Sequence, residues 1–596
     1  MYGKRIQRLL AVFFSAALVL SACTPVRETA KESSDALTWG TWGNYEEHKE
    51  FLDLLNETCP DIELEFVSYT GGNKTGYSWA QMRADDIPDI FITSQILDEE
   101  LAKERLADLS GYPFINSFST SILDQVSIDG GIYLLPTSYA MYGIFYNKTL
   151  MEEYGWSVPK DLEELEALCG EIREAGLIPG VISTQLTGGP FSTMFNLAKT
   201  DWLTTPDGVQ WEQDFLAGNA TASGRWEGTM DLAERYMDMG MFYADPEDRN
   251  SPTLILDYLG QRKAVFCTAV QTVNISEFPD TKDQIGIMPF ISEDGSKNIY
   301  MYSPTYYFGI SKRLTDPGNE KKLEDAVRLL SLLYSPEGQA VFVDEATPCL
   351  MSTLNNADVQ EDSMIYDAGQ ALQDGRAFPM TYAGWEQVLS DMGQVYKEWF
   401  RGEGGMDKDR CIARMDELMQ DALDHSDQLY FCECTEDFTL EETGELVGKV
   451  LGSAVGADAA LIPLGGYQEG GIELRAGITG KLYKGKINMD VASTICPWYD
   501  GEYALMTMTG AQAKELAKAG LCVEGGQEPY PYLLITKGGA ELEDDAVCQV
   551  AFLAQGYTEE MAETFSAQVC TGSLREFLRV WLEEKKTVSP DSNPWE

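Results

Sequence analysis

Hydrophobic and polar residues alternate with two different periods along the first part of the chain. Residues 36–43 place two tryptophans between small residues, which is typical of a strand, and residues 45–57 repeat apolar side chains at helical spacing. After Pro60, residues 62–67 return to a strand pattern. A strand, a helix and a second strand in this order predict a parallel sheet with a right-handed crossover.

The stretch from residue 129 to residue 169 carries the densest run of local signals. Asp129-Gly130-Gly131 predicts a tight turn, because glycine accepts the positive φ that such a reversal needs. Residues 132–136 and 142–146 are rich in aromatic and β-branched side chains and predict two strands. Asn147 then predicts the start of a helix that ends at Gly155, and a further capped helix is expected from Asp161.

Strand and helix patterns continue beyond both of these stretches. Residues 82–92 end in an apolar run, so Thr93, Ser94 and Gln95 follow the carboxyl end of a strand, where ligands collect in open α/β sheets. The later patterns predict helices over 162–175, 226–239 and 322–334, and a strand over 302–310. Interleaved strands and helices favour an α/β fold.

The length and the charge of the chain limit its possible domain organisation and partners. A chain of 596 residues exceeds what one hydrophobic core usually organises, so two or more domains are expected. The net charge is −52, and it becomes −55 if the three basic residues of the leader are removed. Nucleic acid is therefore not expected as a partner, because its binding depends on cations that neutralise phosphates. A heavily solvated surface explains the negative charge. An acidic surface that is used for binding is the alternative explanation.

The N-terminus has the pattern of a secretion signal. Lys4, Arg5 and Arg8 precede fourteen uncharged residues, 9–22, which are too few to span a membrane comfortably. The sequence Leu20-Ser21-Ala22-Cys23 resembles a bacterial lipobox, which implies lipidation at Cys23. An ordinary signal peptide with an incidental cysteine is the alternative. We expect the mature protein on the extracellular face of the cytoplasmic membrane, held by its lipid anchor.

Cysteines and histidines exclude several kinds of chemistry. Eleven of the twelve cysteines remain after Cys23, and we interpret most of them as buried small hydrophobic residues. Local disulfides in the C-terminal part are the alternative, and the spacing of Cys432 and Cys434 fits neither a redox motif nor a zinc site. His48 and His425 are the only histidines, so histidine-rich metal sites are not expected, and both are predicted at the surface.

Several motifs in a fixed order identify a resemblance. The chain reads Asp129-Gly-x-x-Tyr133-x-x-Pro136, then Tyr146-Asn147-Lys148-x-Leu150, then Gly155-x-x-x-Pro159, and Pro88-Asp89-Ile90 stands earlier. This order resembles the extracellular solute-binding proteins of ABC importers, in particular those that bind sugars and oligosaccharides. The resemblance covers about residues 36–430. It implies an α/β, two-lobed periplasmic-binding-protein-like fold with a hinge, in which the chain crosses between the lobes more than once.

The resemblance also suggests how the chain divides into domains. The expected divisions are a signal peptide (1–22), a flexible tether (23–35), a solute-binding domain (36–430), an acidic linker (431–445) and a smaller α+β domain (446–596). Within the solute-binding domain, the first lobe is expected over about 36–143 and 273–310. The second lobe is expected over about 144–272 and 311–430.

Aromatic residues recur where the resemblance places the ligand cleft. A sugar ring has an apolar face and a polar rim, so flat rings with a few hydrogen-bonding groups suit it. The expected ligand-binding residues are Trp39, Trp42, Tyr69, Thr93, Ser94, Gln95, Tyr139, Tyr142, Tyr302, Tyr306, Tyr382 and Trp385, with Tyr307 and Asn147 as further candidates. Packing inside the cores or between the lobes is the alternative for each single ring.

The implied function is binding without chemistry. A ligand that touches both lobes in the closed state drives closure, and a membrane permease reads the closed form. The permease and its ATPase are expected to be separate chains, because the sequence has no phosphate-cradling G-x-x-x-x-G-K-[ST] loop. We therefore expect no enzyme activity, no cofactor and no metal.

The C-terminal part has a different texture of short strands and glycines. Its order resembles the C-terminal, substrate-binding domain of 5′-nucleotidases, with Thr509-Gly510-Ala511-Gln512 before a helix as the best local match. The resemblance implies a second binding site at Gly465, Gly466, Gln468, Arg475, Trp498, Asp500 and Phe552.

Departures from that second pattern are substantial. Residues 463–468, PLGGYQ, lack the asparagine and the arginine with which the nucleotidase pattern grips its substrate, and the metallophosphatase domain is missing. Two interpretations therefore stand. Either the C-terminal part is an accessory or spacer domain of a sugar-binding protein, or it still handles nucleotides or nucleosides, as an enzyme or an enzyme's partner.

Overall fold

The computed structural model describes most of the chain from residue 36 onward. The described residues are 36–42, 45–69, 74–268, 283–345, 350–354, 363–380, 382, 384–385, 388–424, 430–464, 477–488, 491–496, 502–519, 532–553, 565 and 568–595. The predicted signal peptide, tether and lipidation site at Cys23 lie outside these residues, as does His425. Within the described residues, no helix combines the length and the apolar character needed to cross a bilayer.

Two separate β-sheets organise residues 37–424. Their strands are β1 (Leu37–Thr41), β2 (Leu64–Ser68), β3 (Ile90–Thr93), β6 (Leu135–Tyr142), β7 (Ile144–Asn147), β8 (Ile178–Ile182), β9 (Tyr243–Ala244), β10 (Ala264–Thr268), β11 (Ile285–Met288), β12 (Tyr300–Ile310), β13 (Leu350–Ser352) and β14 (Ala377–Pro379). A small separate hairpin pairs β4 (Ser127–Ile128) with β5 (Gly131–Ile132).

Helices cover both sheets. Among the described residues, the α-helices of this part are α1 (Tyr45–Thr58), α2 (Lys74–Ala84), α3 (Glu99–Arg105), α4 (Thr120–Val126), α5 (Lys148–Tyr154), α6 (Leu162–Glu174), α7 (Gly188–Ala198), α8 (Pro206–Leu216), α9 (Glu227–Asp238), α10 (Ser251–Ile255), α11 (Glu320–Leu333), α12 (Pro336–Gln339), α13 (Tyr366–Gln373), α14 (Leu389–Arg401) and α15 (Lys408–Asp424). Three π-helical turns, at Lys199–Leu203, Leu256–Gly260 and Ala340–Glu345, follow α7, α10 and α12.

The first sheet has the order β13-β6-β12-β3-β1-β2, with β14 beside β12. β1 is parallel to both β2 and β3, and Leu37 pairs with Leu64, as the strand, helix and strand pattern predicts. The second sheet has the order β11-β7-β10-β8-β9. One hydrophobic core packs on the first sheet and also includes residues of the second sheet, among them Phe145, Val181 and Cys267, while the other packs on the second sheet. The first and the second sheet define the first and the second lobe.

The described chain passes between the two sheets at three places. β6 continues into β7 at Gly143, β11 leads into β12, and β14 leads into the residues that follow it in the second lobe. A Cβ at Gly143 would lie 2.3 Å from the carbonyl oxygen of Met288, so glycine allows the crossing strands to approach closely. The prediction of multiple crossings is confirmed.

The lobe boundaries differ from those expected. Residues 311–343 were expected in the second lobe, yet Leu314, Ala326 and Leu330 are buried in the first core, together with Ala371 of α13. Residues 285–288 were expected in the first lobe, but they form β11 of the second sheet. The reason is that α11 packs back on the first sheet, a long-range contact that sequence patterns do not specify.

Local signals in residues 129–169 agree with the structure. Asn147 caps α5, because its side chain accepts a hydrogen bond from the backbone N–H of Leu150 at 2.8 Å. Gly155 ends that helix with a left-handed φ of 73°. Asp161 caps α6 through the backbone N–H of Glu164 at 2.9 Å. The predicted helix starts and stop are confirmed.

His48 is on α1, as predicted, but its ring is not a simple surface group. The imidazole stacks on Phe342 with ring centroids 5.3 Å apart and on Trp39 at 5.7 Å. Its Nε2 atom lies 3.1 Å from the hydroxyl of Thr41. Burial among these rings lowers the pKa of His48 from its usual value to about 4, so the ring is neutral at physiological pH.

In the C-terminal part, the residues that the structure describes form two further sheets with four helices. Its strands are β15 (Tyr430–Cys434), β16 (Ala459–Pro463), β17 (Gly485–Asn488), β18 (Glu502–Thr509), β19 (Tyr532–Thr536), β20 (Val547–Leu553), β21 (Gln568–Thr571) and β22 (Thr587–Val588). Its helices are α16 (Leu440–Val455), α17 (Val491–Ile495), α18 (Gly510–Ala519) and α19 (Leu574–Lys585). One sheet has the order β17-β15-β22 and the other the order β19-β16-β20-β18-β21.

The acidic linker expected at 431–445 is wrong. β15 pairs with β17 and β22, and α16 begins within the supposed linker at Leu440. Thr439 and Glu442 form a reciprocal capping box that fixes this helix start. Cys432 and Cys434 are buried free thiols, and burial raises their pKa values to about 11 and about 12. The acidic residues therefore belong to folded elements of the C-terminal part.

Candidate functional site

The carboxyl ends of β1 and β3 carry a group of ring and hydroxyl side chains on the first lobe. Trp42 follows β1 directly, and Ser94 and Gln95 follow β3. Because these strands are parallel, their carboxyl ends meet at one edge of the sheet, the usual position of a ligand site in an open α/β sheet.

Half-buried Tyr306 faces Trp42, which is 7% exposed, at this edge. The two ring centroids are 6.1 Å apart and tilted by 50°, and the ammonium of Lys74 lies 5.9 Å from the Trp42 ring centre. Tyr306 has a φ of 47°, a left-handed conformation inside β12 that costs a non-glycine residue about 1 to 3 kcal/mol. Strained backbone of this kind concentrates at binding and catalytic sites, where surrounding contacts hold it in place.

The start of α2 supports the loop after β3. Thr75 and Ser94 share a hydrogen bond between their hydroxyls. The indole N–H of Trp79 donates to the hydroxyl of Thr93 and to the carbonyl oxygen of Gln95, both at 3.1 Å. The helix thereby fixes Ser94 and Gln95, whose side chains are half-buried, at the edge of the first lobe.

A second group of rings lies at the edge of the second lobe. Tyr142, at the end of β6, and Tyr382 are both half-buried and pack against the second core. Tyr382 contacts the rings of Phe191 and Phe195, with centroids 5.7 and 5.4 Å away. Burial raises the pKa of both tyrosines, so their hydroxyls stay protonated and able to donate hydrogen bonds.

Tyr139 and Tyr302 pair across the crossing strands β6 and β12. Their rings meet edge to face with centroids 5.0 Å apart, and Gln125 donates a hydrogen bond to the hydroxyl of Tyr302 at 2.9 Å. Both rings are buried, and Tyr307 lies beside them in the same core. These residues stiffen the strands that connect the lobes. That Tyr139 and Tyr302 contact the ligand stays a prediction.

Three expected ligand contacts lie inside the cores instead. Trp39 is 0% exposed between His48 and Phe66, whose rings stack on its two sides. Thr93 is 0% exposed under its own loop, and Trp385 is 1% exposed. The expectation of ligand contact for these three side chains is corrected, because a side chain enclosed by its core does not line a surface.

Two other candidates have structural partners. The side chain of Asn147 caps α5 and donates to Asp283 at 2.7 Å. Tyr69, at the carboxyl end of β2, donates its hydroxyl proton to the carbonyl oxygen of Thr494 in the C-terminal part, at 2.5 Å. Tyr69 therefore lies at a contact between the first lobe and the C-terminal part.

The second binding site predicted in the C-terminal part falls mostly outside the described residues. Six of its seven candidates are among the undescribed positions: Gly465, Gly466, Gln468, Arg475, Trp498 and Asp500. The seventh, Phe552, is 0% exposed in β20 and packs edge to face against Tyr532. Phe552 is therefore a core residue of its sheet and not an open stacking platform.

Sequence reasoning missed Lys74 and Thr75. Both residues follow a glycine-rich stretch that comes soon after the second strand. The start of a helix at this point was the only sequence feature that could have indicated a role for them in the site. The resulting first-lobe group consists of Trp42, Lys74, Thr75, Ser94 and Tyr306. It offers rings, hydroxyls and one ammonium, which can stack and form hydrogen bonds. Among the described residues, no three His, Cys, Asp or Glu side chains are placed to hold a metal ion.

Comparison with known families and relatives gives a consistent result. Residues 43–340 match the sequence model of a family described as bacterial extracellular solute-binding protein. The chain is 28% identical over 159 residues to an uncharacterized ABC transporter extracellular-binding protein of Pyrococcus horikoshii, covering 26% of this chain and 38% of the relative. It is 25% identical over 164 residues to the melibiose/raffinose/stachyose-binding protein MelE of Bacillus subtilis, covering 26% and 38%.

These alignments span about two fifths of the length of the curated relatives, whereas the likeness of the fold is longer. The apo form of RafE from Streptococcus pneumoniae superimposes with a TM-score of 0.52 and 16% identity. That match covers 66% of this chain and 99% of RafE. The two-lobed solute-binding fold therefore accounts for about two thirds of the chain.

Proposed function

The chain belongs to the bacterial extracellular solute-binding protein family, and we propose that it captures an oligosaccharide between its lobes for the permease of an ABC importer. Members of this family bind solutes and do not transform them. The sugar, the permease and the lipid anchor are the parts of this proposal that go beyond membership of the family.

The observation that carries the proposal is the first-lobe group around Trp42. The half-buried ring of Tyr306 and the small exposed part of Trp42, 7% of that residue, would offer apolar surface to the C–H groups of a sugar ring, while the half-buried Ser94 and Thr75 would offer hydroxyls to its polar rim. Tyr142 and Tyr382 offer a corresponding set on the second lobe. The name of the relative MelE, which cites melibiose, raffinose and stachyose, supports an α-galactoside-containing oligosaccharide as the first ligand to test.

Closure of the lobes would couple binding to delivery. A sugar that contacts both groups gains more interactions in the closed state than in the open state, and only that difference in affinity shifts the equilibrium. The crossings at Gly143 and between β11 and β12 are the natural hinge, because they join the two sheets directly. The permease would then receive the closed, loaded form.

Anchoring at Cys23 would hold the protein beside its permease. The lipobox-like residues Leu20-Ser21-Ala22-Cys23 follow an apolar segment, which is the pattern of a lipoprotein signal. Labelling of producing cells with a clickable fatty acid, followed by pull-down of the wild type and of Cys23→Ala, tests this. Label on the wild type alone supports the anchor, and equal absence of label from both overturns it.

Binding assays on the protein from residue 24 onward test the main proposal. Melibiose, raffinose, stachyose, adenosine and AMP are titrated separately while thermal unfolding is followed. A ligand at about a thousand times its dissociation constant stabilises the native state by about 4 kcal/mol, a shift of several degrees. A shift with sugars supports the proposal. A shift with adenosine or AMP alone, or metal-dependent release of phosphate from AMP, contradicts it and favours the nucleotide alternative.

A further inference from the structure

The first lobe and the C-terminal part meet through a stack of three tyrosines. Tyr69 and Tyr77 are stacked with ring centroids 4.1 Å apart and 15° between their planes. Tyr483 of the C-terminal part stacks next to Tyr77 at 6.1 Å and 29°. Tyr69 and Tyr77 are buried, at 4% and 3% exposure. The aromatic stack therefore forms the core of a packed contact between the two parts.

Hydrogen bonds fix the position of this stack. The backbone N–H of Lys481 donates to the hydroxyl of Tyr77 at 3.2 Å, and Tyr77 donates to the carbonyl oxygen of Thr479 at 3.5 Å. Asp86, just after α2, accepts from Lys481 Nζ at 2.6 Å and from the hydroxyl of Tyr483 at 2.8 Å. Residues 479–483 thus hold α2 at Tyr77 and just beyond its end, at Asp86.

Close backbone approach adds to the fit. A Cβ at Gly480 would lie 2.5 Å from the carbonyl oxygen of Thr494 and 3.2 Å from the Tyr69 ring. Only a residue without a side chain allows the segment 477–483 to lie this close to α17 and to Tyr69. α17 itself contacts α2. The contact is therefore built from shape as well as from hydrogen bonds.

The same helix holds the proposed sugar site. Lys74, at the start of α2, lies over the Trp42 ring. Thr75 shares a hydrogen bond with Ser94, and the indole of Trp79 donates hydrogen bonds to Thr93 and Gln95. Tyr77, between Thr75 and Trp79 in sequence, contacts the C-terminal part. Because α2 is one continuous helix of 11 residues, a displacement at Tyr77 moves Lys74 and Thr75 with it.

We propose that the C-terminal part is a positioning element of the sugar site: by gripping α2 at Tyr77 and Asp86 it fixes the first-lobe group in its binding geometry. This inference rests on the proposed function for the identity of the ligand. It assigns a role to about one third of the chain that the comparison with RafE leaves uncovered. A domain that served only as a spacer would not require buried tyrosines that pack on α2 beside the first-lobe group.

Variants in residues 481–483 test the inference without touching the sugar site. Lys481→Ala removes the ion pair to Asp86, Tyr483→Phe removes one hydrogen bond, and Tyr483→Ala removes the stacked ring. Lys514→Ala is the matched control, because Lys514 forms its ion pairs with Glu541 and Asp544 inside the C-terminal part. Raffinose and stachyose affinities are measured by calorimetry for all four variants and the wild type.

The expected result is a graded loss of affinity. Lys481→Ala and Tyr483→Ala weaken sugar binding by about three- to thirtyfold, Tyr483→Phe by less, and Lys514→Ala leaves it unchanged. Affinity equal to that of the wild type in Tyr483→Ala, with only a lower unfolding temperature, overturns the inference.

A second readout needs no ligand. Hydrogen exchange of the amides in residues 74–84 and 93–95 is expected to be faster in Tyr483→Ala than in Lys514→Ala, because α2 loses its support. If the wild type binds neither sugar, the proposed function fails, and the exchange experiment still decides the positioning role. Unchanged exchange in residues 74–84 contradicts that role independently of any sugar.

Discussion

The hydroxyl of Tyr69 in the first lobe donates a hydrogen bond to the carbonyl oxygen of Thr494, a residue 425 positions later in the chain, at 2.5 Å. The sequence predicts Tyr69 as a ligand contact, because it follows a strand at the edge where sugars are expected. The structure instead places the ring against Tyr77 and the C-terminal part. The carboxyl edge of the first sheet therefore serves two purposes: a ring and hydroxyl group around Trp42, and a docking contact at Tyr69.

Tyr69→Phe is expected to lower the free energy of unfolding by about 1 to 3 kcal/mol. The ring and its stacking are kept, but the carbonyl oxygen of half-buried Thr494 loses this donor. Tyr154→Phe is the control, because Tyr154 is half exposed on the second lobe. Urea unfolding measures both variants, and equal midpoints for Tyr69→Phe and the wild type would contradict the contact.

The stability of the protein should fall in mild acid because of His48. Its pKa is about 4 in the folded protein and about 6.5 when unfolded, so the unfolded state binds the extra proton between these values. The stabilisation that comes from keeping His48 neutral is complete above pH 6.5. It is lost as the pH falls towards 4, and the free energy of unfolding decreases by up to about 3 kcal/mol. Urea unfolding at pH 7.5, 5.5 and 4.5 (about one unit above, one below and two below the unfolded pKa) compares the wild type with His48→Phe.

The His48→Phe variant keeps a ring between Trp39 and Phe342 and removes the titration. Its free energy of unfolding should decline less between pH 7.5 and 4.5 than that of the wild type, in roughly the amount given above. His425→Phe serves as the control for the loss of a histidine elsewhere. The same pH dependence in His48→Phe and the wild type would show that the rings around His48 do not lower its pKa.

The second lobe contains a buried ion pair that should be costly to break. Lys199 Nζ lies 2.6 Å from Glu212, and Lys199 is 4% exposed. Glu212 also accepts a hydrogen bond from the indole of Trp385 at 2.9 Å. Lys199→Met leaves the Glu212 carboxylate, which is only 15% exposed, without its cation, and we expect a loss somewhat below the roughly 3 to 5 kcal/mol typical of a fully buried charge. The double variant Lys199→Met with Glu212→Gln should recover much of this loss in urea unfolding.

Gly143 should tolerate no side chain at the crossing between the lobes. A Cβ there would meet the carbonyl oxygen of Met288 at 2.3 Å, so Gly143→Ala forces the crossing strands apart. We expect a loss of stability of about 1 to 3 kcal/mol, as for other overpacked positions. Gly170→Ala is the control, because a Cβ at Gly170 on α6 meets nothing within 4 Å. A Gly143→Ala protein as stable as Gly170→Ala would contradict the close approach.

Local signals in the sequence predicted local structure well. The caps at Asn147 and Asp161 depend on side chains that bond to backbone three residues away, so the residues that make them lie within one helical turn. The parallel pairing of β1 with β2 follows from a strand, helix and strand order that allows few topologies. The strand and helix around Thr509 and Gly510 were likewise predictable from their pattern.

Long-range packing explains the predictions that were wrong. How deeply Trp39 and Trp42 are enclosed, at 0% and 7% exposure, depends on the sheet that forms around them, and an alternating pattern of tryptophans does not reveal it. The return of α11 to the first lobe and the docking at Tyr77 join residues far apart in sequence. The sequence already argued against the predicted linker at 431–445, because Thr439-x-x-Glu442 has the pattern of a capping box that starts a helix.

Calorimetric titration of raffinose and stachyose into the wild type, Trp42→Ala and Trp156→Ala tests the central claim most directly. Trp156 stacks on Tyr154 at the surface of the second lobe, so its loss controls for removal of an indole. We predict sugar binding by the wild type and Trp156→Ala, and about tenfold or greater weakening in Trp42→Ala, because a central aromatic contact contributes more than 1 kcal/mol. Equal sugar affinity in all three proteins, or binding by none of them, would contradict the account.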